Sequence, residues 1–242
     1  MKFACKTDIG KVRRSNQDCY AVGELPGGVA WGIVCDGMGG ANGGNIASRT
    51  AVKTVSEKIA SSWRQGMGAG SICNLLKSLV AAANINVFDM SNSVETLQGM
   101  GTTIVLALVA DGTAHIVHAG DSRAYHLKDG KLTQVTKDHS IVQTLVEQGK
   151  LTEQEAREHP RRNVITRALG VAETLEVDYM ELELNRGEGL LLCTDGLSGY
   201  VEPAEMEEII QTHPFAERAE KLVELANEKG GGDNITVVTI LQ

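Results

Sequence analysis

Several apolar stretches of this sequence carry an aspartate at one end. Trp31-Gly32-Ile33-Val34-Cys35 runs into Asp36-Gly37, His115 to Gly120 runs into Asp121, and Leu190-Leu191-Leu192-Cys193-Thr194 runs into Asp195-Gly196. Asp233-Asn234 opens the stretch Ile235-Thr236-Val237-Val238, and Asp18 stands just before Cys19 to Val22. Strand ends of one sheet packing can converge on a single edge, where several carboxylates would repel and could not all stay ionised unaided. Hard divalent cations relieve that repulsion, because Mg2+ and Mn2+ favour oxygen ligands. Two such ions about 4 Å apart can activate water for attack on phosphorus. The competing reading is that Asp-Gly pairs are turn residues. Both readings can hold at Asp36-Gly37 and Asp195-Gly196, and spacing alone does not choose between them.

Other residues invite the same weighing. Arg13 and Arg14 precede Asn16-Gln17-Asp18. An arginine beside a metal cluster can hold a phosphate through paired hydrogen bonds, or be a plain surface charge. Met38-Gly39-Gly40 reads as a phosphate-cradling loop or, more simply, as a tight turn. His115, His118 and His126 lie in strand-like segments and suit structural roles better than ligation. Cys5, Cys19, Cys35, Cys73 and Cys193 are scattered, with no CxxC pair. They are expected to be reduced and mostly buried, with no catalytic thiolate among them.

The elements that must position these groups follow from periodicity and turn chemistry. Strands are predicted at about 2–7, 18–24 and 29–35, then an amphipathic helix at about 44–62 with Ile46, Ala47, Ala51, Val52, Val55 and Ile59 on one face. Gly66 to Gly70 reads as a flexible connector. Ser71 is positioned to cap a second helix at about 71–90. Thr102 to Ala110 and Thr113 to Ala119 flank Asp111-Gly112, a hairpin signal, and Ser122 to Leu127 and Lys131 to Val135 flank Asp129-Gly130, another. Residues 138–175 are polar, with a short helical pattern near 140–148 and a Thr152/Glu155 capping box; they read as a flap over the core. Strands resume at about 176–184 and 188–194, helices follow at about 203–211 and 215–228, and residues 234–241 form the closing strand. Helices do not alternate one per strand, which argues for packed antiparallel sheets with helices outside, an α+β arrangement.

The bulk properties bound the function. At 242 residues the chain is expected to be a single domain over 1–242, with the flap at about 138–175. Glycine is frequent (27) and proline scarce (4), which suits many tight turns between short strands. The formal net charge of -8 disfavours nucleic acid and anionic membranes, while bound cations would still admit an anionic substrate. Residues 1–10 do not read as a signal peptide, and the longest apolar run, Ile104 to Ala110, is too short to span a bilayer. A cytoplasmic monomer with no membrane span is therefore the expectation.

In their order along the chain the motifs become more specific than any one alone. Arg13-x-x-Asn16-Gln17-Asp18, Asp36-Gly37-Met38-Gly39-Gly40, Gly101-Thr102-Thr103, Gly120-Asp121-Ser122-Arg123, Thr194-Asp195-Gly196-Leu197 and Asp233-Asn234-Ile235-Thr236 occur in that series. The set closely resembles the protein phosphatase 2C, or PPM, family of metal-dependent serine/threonine phosphatases. Asp138-His139-Ser140, His159-Pro160-Arg161-Arg162-Asn163 and Arg167-Ala168-Leu169-Gly170 look like the flap of its compact bacterial members. The resemblance covers almost the whole chain. It implies a four-layer α-β-β-α sandwich, two packed antiparallel β-sheets flanked by helices, with a small flap subdomain.

The same resemblance implies roles. Asp36 would bridge two Mn2+ or Mg2+ ions, the Gly37 carbonyl would bind one of them, and Asp18, Asp195 and Asp233 would complete the two-ion core. Asp121 with Asp195 would match a third, weaker site. Arg13 would bind the substrate phosphate, and a hydroxide bridging the metals would attack phosphorus in line. Phosphorylated proteins would be the partners, with a serine/threonine kinase as the opposing enzyme. Two positions depart from the pattern of many eukaryotic members: Met38 stands where they have a histidine, and Gln17 where an acidic residue is frequent. Both look like bacterial traits, and Met38 leaves the leaving-group proton without a side-chain donor. A non-catalytic phosphoprotein-binding module and a metal-dependent phosphodiesterase or nuclease are the alternatives. The first is disfavoured because no ligand is missing, the second because the chain is acidic without a basic stripe.

Overall fold

Alternation along the strands dictates a layered core. In the strand Gly189–Cys193 (β10), Leu190 and Leu192 face one cluster while Leu191 and Cys193 face another. In Ile104–Ala110 (β5), Val105, Ala107 and Val109 point one way, and Ile104, Leu106, Leu108 and Ala110 the other. A strand buried on both faces needs cover on both, so two sheets must pack together and each must carry helices outside. The computed structural model, which describes residues 1–242 except the side chains of Ala41 and Asn42, has this arrangement.

One sheet contains Lys2–Asp8 (β1), Arg123–Lys128 (β7), Lys131–Gln134 (β8), β10 and Ile235–Leu241 (β11), in the order β1-β11-β10-β7-β8. The other contains Asp18–Leu25 (β2), Val29–Met38 (β3), β5, Thr113–Ala119 (β6) and Asp178–Glu183 (β9), in the order β2-β3-β5-β6-β9. The two-residue strand Gly101–Thr102 (β4) pairs with the end of β3. All the pairings are antiparallel. The helices Gly40–Ser62 (α1) and Ala69–Ser93 (α2) cover the second sheet; Pro203–Thr212 (α6) and Phe215–Glu228 (α7) cover the first. Between the latter strands and helices lies the single turn Asp195–Ser198 (α5), and Ile141–Glu147 (α3) and Glu153–Glu158 (α4) belong to the polar stretch before β9.

Both predicted hairpins form. Asp111 and Gly112 have φ of 49° and 76°, and Asp129 and Gly130 have 50° and 74°, the left-handed pair that a two-residue turn demands. The Thr152/Glu155 capping box closes at α4 as expected.

Several boundaries differ, each for a local reason. Helix α1 begins at Gly40 rather than near 44; the glycines there are poor helix formers and hide its start. Helix α2 is capped by Gly68, not Ser71, because the Ser71 and Ile72 amides both donate to the Gly68 carbonyl. Strand β3 continues to Met38, so Asp36-Gly37 is strand and not turn. The predicted strand from 102 is cut at Thr103, which leaves the ladder to bond Asp36. Helix α2 is long and apolar enough by composition to cross a membrane. Its stripe Ile72, Leu76, Leu79, Val80, Ala83 and Val87 is packed into the core beside α1, which accounts for that composition.

Candidate metal centre

Packed face to face, the two sheets bring their strand-end aspartates together at one edge of the sandwich. Arg13, Asp36, Gly37, Asp121, Asp195 and Asp233 all line one cleft of about 290 Å³. Asp18 does not line it. It lies opposite Asp36 in the β2–β3 ladder and is buried.

Each group is fixed by its backbone. The Asp36 amide donates to Thr103 Oγ1 at 2.9 Å, while the Asp36 carbonyl accepts from the Thr103 amide at 2.9 Å and from Thr102 Oγ1 at 2.8 Å. Gly37 is pressed against α1 and the Gln17 peptide; a Cβ there would lie 2.0 Å from the Gly44 carbonyl oxygen. Asp18 Oδ2 accepts from Thr194 Oγ1 at 2.8 Å and Thr236 Oγ1 at 2.7 Å, which ties β2 to the opposite sheet. Asp195 opens α5 directly after β10. Asn234 organises the remainder: its Oδ1 accepts from the Gln17 amide, and its Nδ2 donates to the Ile9 and Ser15 carbonyls. Arg13 Nη2 donates to Asp233 Oδ2 at 2.7 Å.

The electrostatics are those of crowded acids. Burial pushes the Asp18 carboxyl up to about 7, against the pull of the Thr236 and Thr194 hydroxyls and with added repulsion from Asp195 and Asp233. Burial, then the charges of Asp18, Asp195 and Asp121, hold Asp36 well above the usual carboxylate range. Asp121 is raised by burial and by Asp195, and Asp195 by burial and by Asp233. Asp18 Oδ1 and Asp195 Oδ1 are buried with no hydrogen-bond partner. Orphaned carboxylate oxygens are costly unless something satisfies them, and an all-oxygen set of aspartates suits Mn2+ or Mg2+. The residues present therefore fit a divalent-cation centre.

The family model described as protein phosphatase 2C matches residues 11–237. The chain belongs to the protein phosphatase 2C family. It is 38% identical over 239 residues to the serine/threonine phosphatase stp of Listeria monocytogenes, covering 97% of this chain and 93% of that protein. It is also 38% identical to the serine/threonine protein phosphatase PstP of Mycobacterium tuberculosis, over 98% of this chain and 44% of that longer protein. Among solved structures, a serine/threonine phosphatase of S. agalactiae superposes with a TM-score of 0.92 at 33% identity, covering 100% and 99% of the two chains. The PstP catalytic domain in complex with two manganese ions superposes with a TM-score of 0.86 at 36% identity, covering 98% and 96%.

Within this phosphatase 2C fold the histidine and cysteine candidates lie outside the cleft, whereas Gln17 and Met38-Gly39-Gly40 line it. His115 Nδ1 pairs with the Tyr179 hydroxyl at 2.7 Å and His126 Nε2 with Glu188 at 3.1 Å. His118, His139 and Asp178 bring ligand-type atoms within 4.8 Å of one another. However, Arg167 Nη1 lies 3.1 Å from His139 Nε2 and 2.8 Å from Asp178 Oδ1, so a guanidinium already supplies the positive charge there. The five cysteines are unpaired. Burial pushes the Cys193 thiol up to about 12 and Cys5 up to about 11, so neither is poised as a thiolate. Gln17 spends its Nε2 on the Gly40 carbonyl. Met38, Asn163 and Ile165 sit at the cleft. Thr103, Thr194 and Thr236 stand in the sequence motifs without a role; Thr194 is marked by its place before Asp195, whereas Thr103 and Thr236 show only as polar residues at otherwise apolar strands.

Proposed function

We propose that this chain hydrolyses phosphoserine and phosphothreonine in proteins, with two Mn2+ or Mg2+ ions in a core site and a third beside it. The observation that carries the reading is one cleft that gathers Arg13, Asp36, Gly37, Asp121, Asp195 and Asp233, with one unpartnered carboxylate oxygen on Asp195 in its wall and another on Asp18 behind it. Asp36, Asp18, Asp195, Asp233 and the Gly37 carbonyl would hold the core pair; Asp121 and Asp195 would hold the third ion. Bound divalent ions supply a water of lowered pKa and offset charge on the transferring phosphoryl group.

The protein's own residues do the rest. Arg13 uses only Nη2 on Asp233 and is half exposed, leaving the remainder of its planar fork to grip a phosphate. Thr102 and Thr103 fix the Asp36 backbone, so its carboxylate would ligate a cation with little reorganisation. No histidine lines the cleft among the described residues, so solvent supplies the leaving-group proton. Phosphoproteins made by a serine/threonine kinase are the substrates under this reading. Residues 1–242 act as one catalytic domain, with the 138–175 flap selecting protein substrates, and the free thiols suit a monomer working in the cytoplasm.

The test is phosphate release from a phosphothreonine peptide against a phosphodiester, with Mn2+ and with a chelator. Manganese-dependent release from the peptide alone is expected. An undiminished rate in Asp36→Asn, or preference for the diester, sinks the proposal.

A further inference from the structure

We propose that His139, which lies outside the cleft, is the positioning residue for Asp121, gripping the peptide next to that carboxylate so that it stands ready for a cation. The inference rests on the reading of Asp121 as a metal ligand and adds a residue to it.

Asp121 sits in the sharp connection between β6 and β7, where the chain has no ladder to hold it. Gly120, just before it, has φ of 110°, and a Cβ there would lie 2.7 Å from Thr103 Cβ. Thr103 therefore closes one side of the turn, and its Oγ1 also meets Ser122 Oγ at 2.7 Å. His139 closes the other side. Its amide donates to the Gly120 carbonyl at 2.9 Å, and the Gly120 amide donates to His139 Nδ1 at 3.2 Å. One residue thus holds both polar groups of the glycine next to Asp121.

The ring is itself locked. Because Nδ1 accepts from Gly120, the neutral ring carries its proton on Nε2, which lies 3.3 Å from Asp178 Oδ2 on β9; Arg167 Nη1, 3.1 Å from Nε2, cannot accept that proton and donates instead to Asp178 Oδ1. One face stacks on His118, with ring centroids 4.5 Å apart and planes 12° from parallel. His118 is fully buried in β6 and bonds the Lys137 carbonyl at 2.9 Å. The preceding residue is also clamped: Arg123 Nε and Nη2 pair with both oxygens of Asp138 at 2.7–3.1 Å. The Thr166 amide donates to the His139 carbonyl at 2.8 Å. So the start of the flap stretch, β6, β7 and β9 all converge on the turn that carries Asp121. Outer groups that orient a metal ligand in this way typically matter tenfold to hundredfold in affinity.

The two side chains that separate the hypotheses are leucine and asparagine. They are close in size, but only asparagine offers an oxygen near the place of Nδ1 to accept from Gly120. Calorimetric titration with Mn2+ is run on wild type, Asp121→Asn, His139→Leu and His139→Asn, each with a melting curve. Asp121→Asn is expected to remove the weakest class of site. His139→Leu should weaken that class by about tenfold or more while the tighter sites change less than about twofold, and His139→Asn should return it to within about threefold of wild type. If His139→Leu fails to melt cooperatively, Asp178→Asn takes its place; it frees the ring without removing it and should weaken the same class alone. Unchanged isotherms, equal weakening of every site, or an asparagine variant as weak as the leucine one overturn the proposal for His139. A wild-type chain with no site that Asp121→Asn removes overturns the ligand reading of Asp121 itself, a separate and recognisable result.

Discussion

Asp18 lies directly opposite Asp36 across the β2–β3 ladder. Like charges in that position destabilise a sheet, and here burial adds to the cost by raising both carboxyls. Two threonine hydroxyls from the other sheet bind only one oxygen of Asp18. The pair is thus a standing repulsion, and a divalent cation is the group that turns it into an attraction.

The pH dependence follows with a definite sign. Asp18 rises from 3.8 to about 7 on folding. Asp18 therefore keeps its proton in the folded chain between about pH 4 and pH 7, where the unfolded chain has lost it, so its contribution to stability falls as pH rises through that window, while His115, His118 and His139, lowered from 6.5 by burial, contribute in the opposite sense. In chelator, the melting temperature of wild type relative to Asp18→Asn should drop from about pH 4 to pH 7, a comparison in which the histidines cancel. Saturating Mn2+ should flatten or reverse the slope, since ligation needs ionised carboxylates. Equal slopes with and without the ion would count against a cation at this cluster.

Asp36→Asn should separate stability from activity. Removing one of several crowded carboxylates relieves repulsion, so the melting temperature in chelator should rise. Mn2+-dependent turnover of a phosphopeptide should fall by more than about a hundredfold, beyond what outer-group changes cost. A variant that loses activity and chelated stability together would instead mark Asp36 as a folding residue.

Much of this centre was legible in the sequence because metal ligands at strand ends punctuate apolar runs, and the order of the motifs is specific. Asp36, Asp121, Asp195 and Asp233 could be named for that reason. What could not be read was depth. Asp18 looked equivalent to the others, yet it lies behind the cleft under Thr194 and Thr236, which belong to the opposite sheet. The Asp-Gly signal was ambiguous in itself: Asp111-Gly112 and Asp129-Gly130 are turns, Asp36-Gly37 is strand, and Asp195-Gly196 opens a helical turn. Local propensity is identical in all four; only pairing with β2 and β4 distinguishes Asp36-Gly37. Glycines mask the helix periodicity at the starts of α1 and α2; Gly43 and Gly44 are there for close packing, whereas Gly68 and Gly70 meet nothing within 4 Å.

Thr194→Val and Thr236→Val test the support beneath Asp18. Each removes one hydroxyl donor from Oδ2 with little change in volume; Thr194→Val also takes the acceptor from the Thr236 amide, and Thr236→Val the partner of Thr7 Oγ1. Each should cost about 1 kcal/mol of stability in chelator and weaken Mn2+ by about tenfold, read from melting curves and calorimetry. If both variants bind Mn2+ as wild type does, Asp18 lies outside the ligand network.

Arg13→Lys keeps the charge but loses the planar fork. If Arg13 grips the phosphate with two nitrogens, kcat/KM for a phosphopeptide should fall by about tenfold, mostly through KM, with Mn2+ affinity little changed. A fall confined to Mn2+ affinity would instead assign Arg13 to holding Asp233.

Gly37→Ala tests how the cleft is shaped. The new Cβ would lie 2.0 Å from the Gly44 carbonyl oxygen and 2.6 Å from that of Gln17. Both obstacles are backbone, so neither can swing aside, and β3 and α1 would have to part. The reverse change meets the same contact, since a Cβ on Gly44 would lie 2.5 Å from the Gly37 oxygen, the proposed ligand. Either substitution should cost about 3 kcal/mol or more and loosen Mn2+ binding with it. Gly70→Ala is the control: it lies in the first turn of α2 with no atom within 4 Å of the added carbon. There the gain in helix propensity should raise stability by up to about 1 kcal/mol and leave Mn2+ binding unchanged. A Gly37→Ala protein that melts and binds Mn2+ like Gly70→Ala would mean that close contact between β3 and α1 does not set the position of the Gly37 carbonyl.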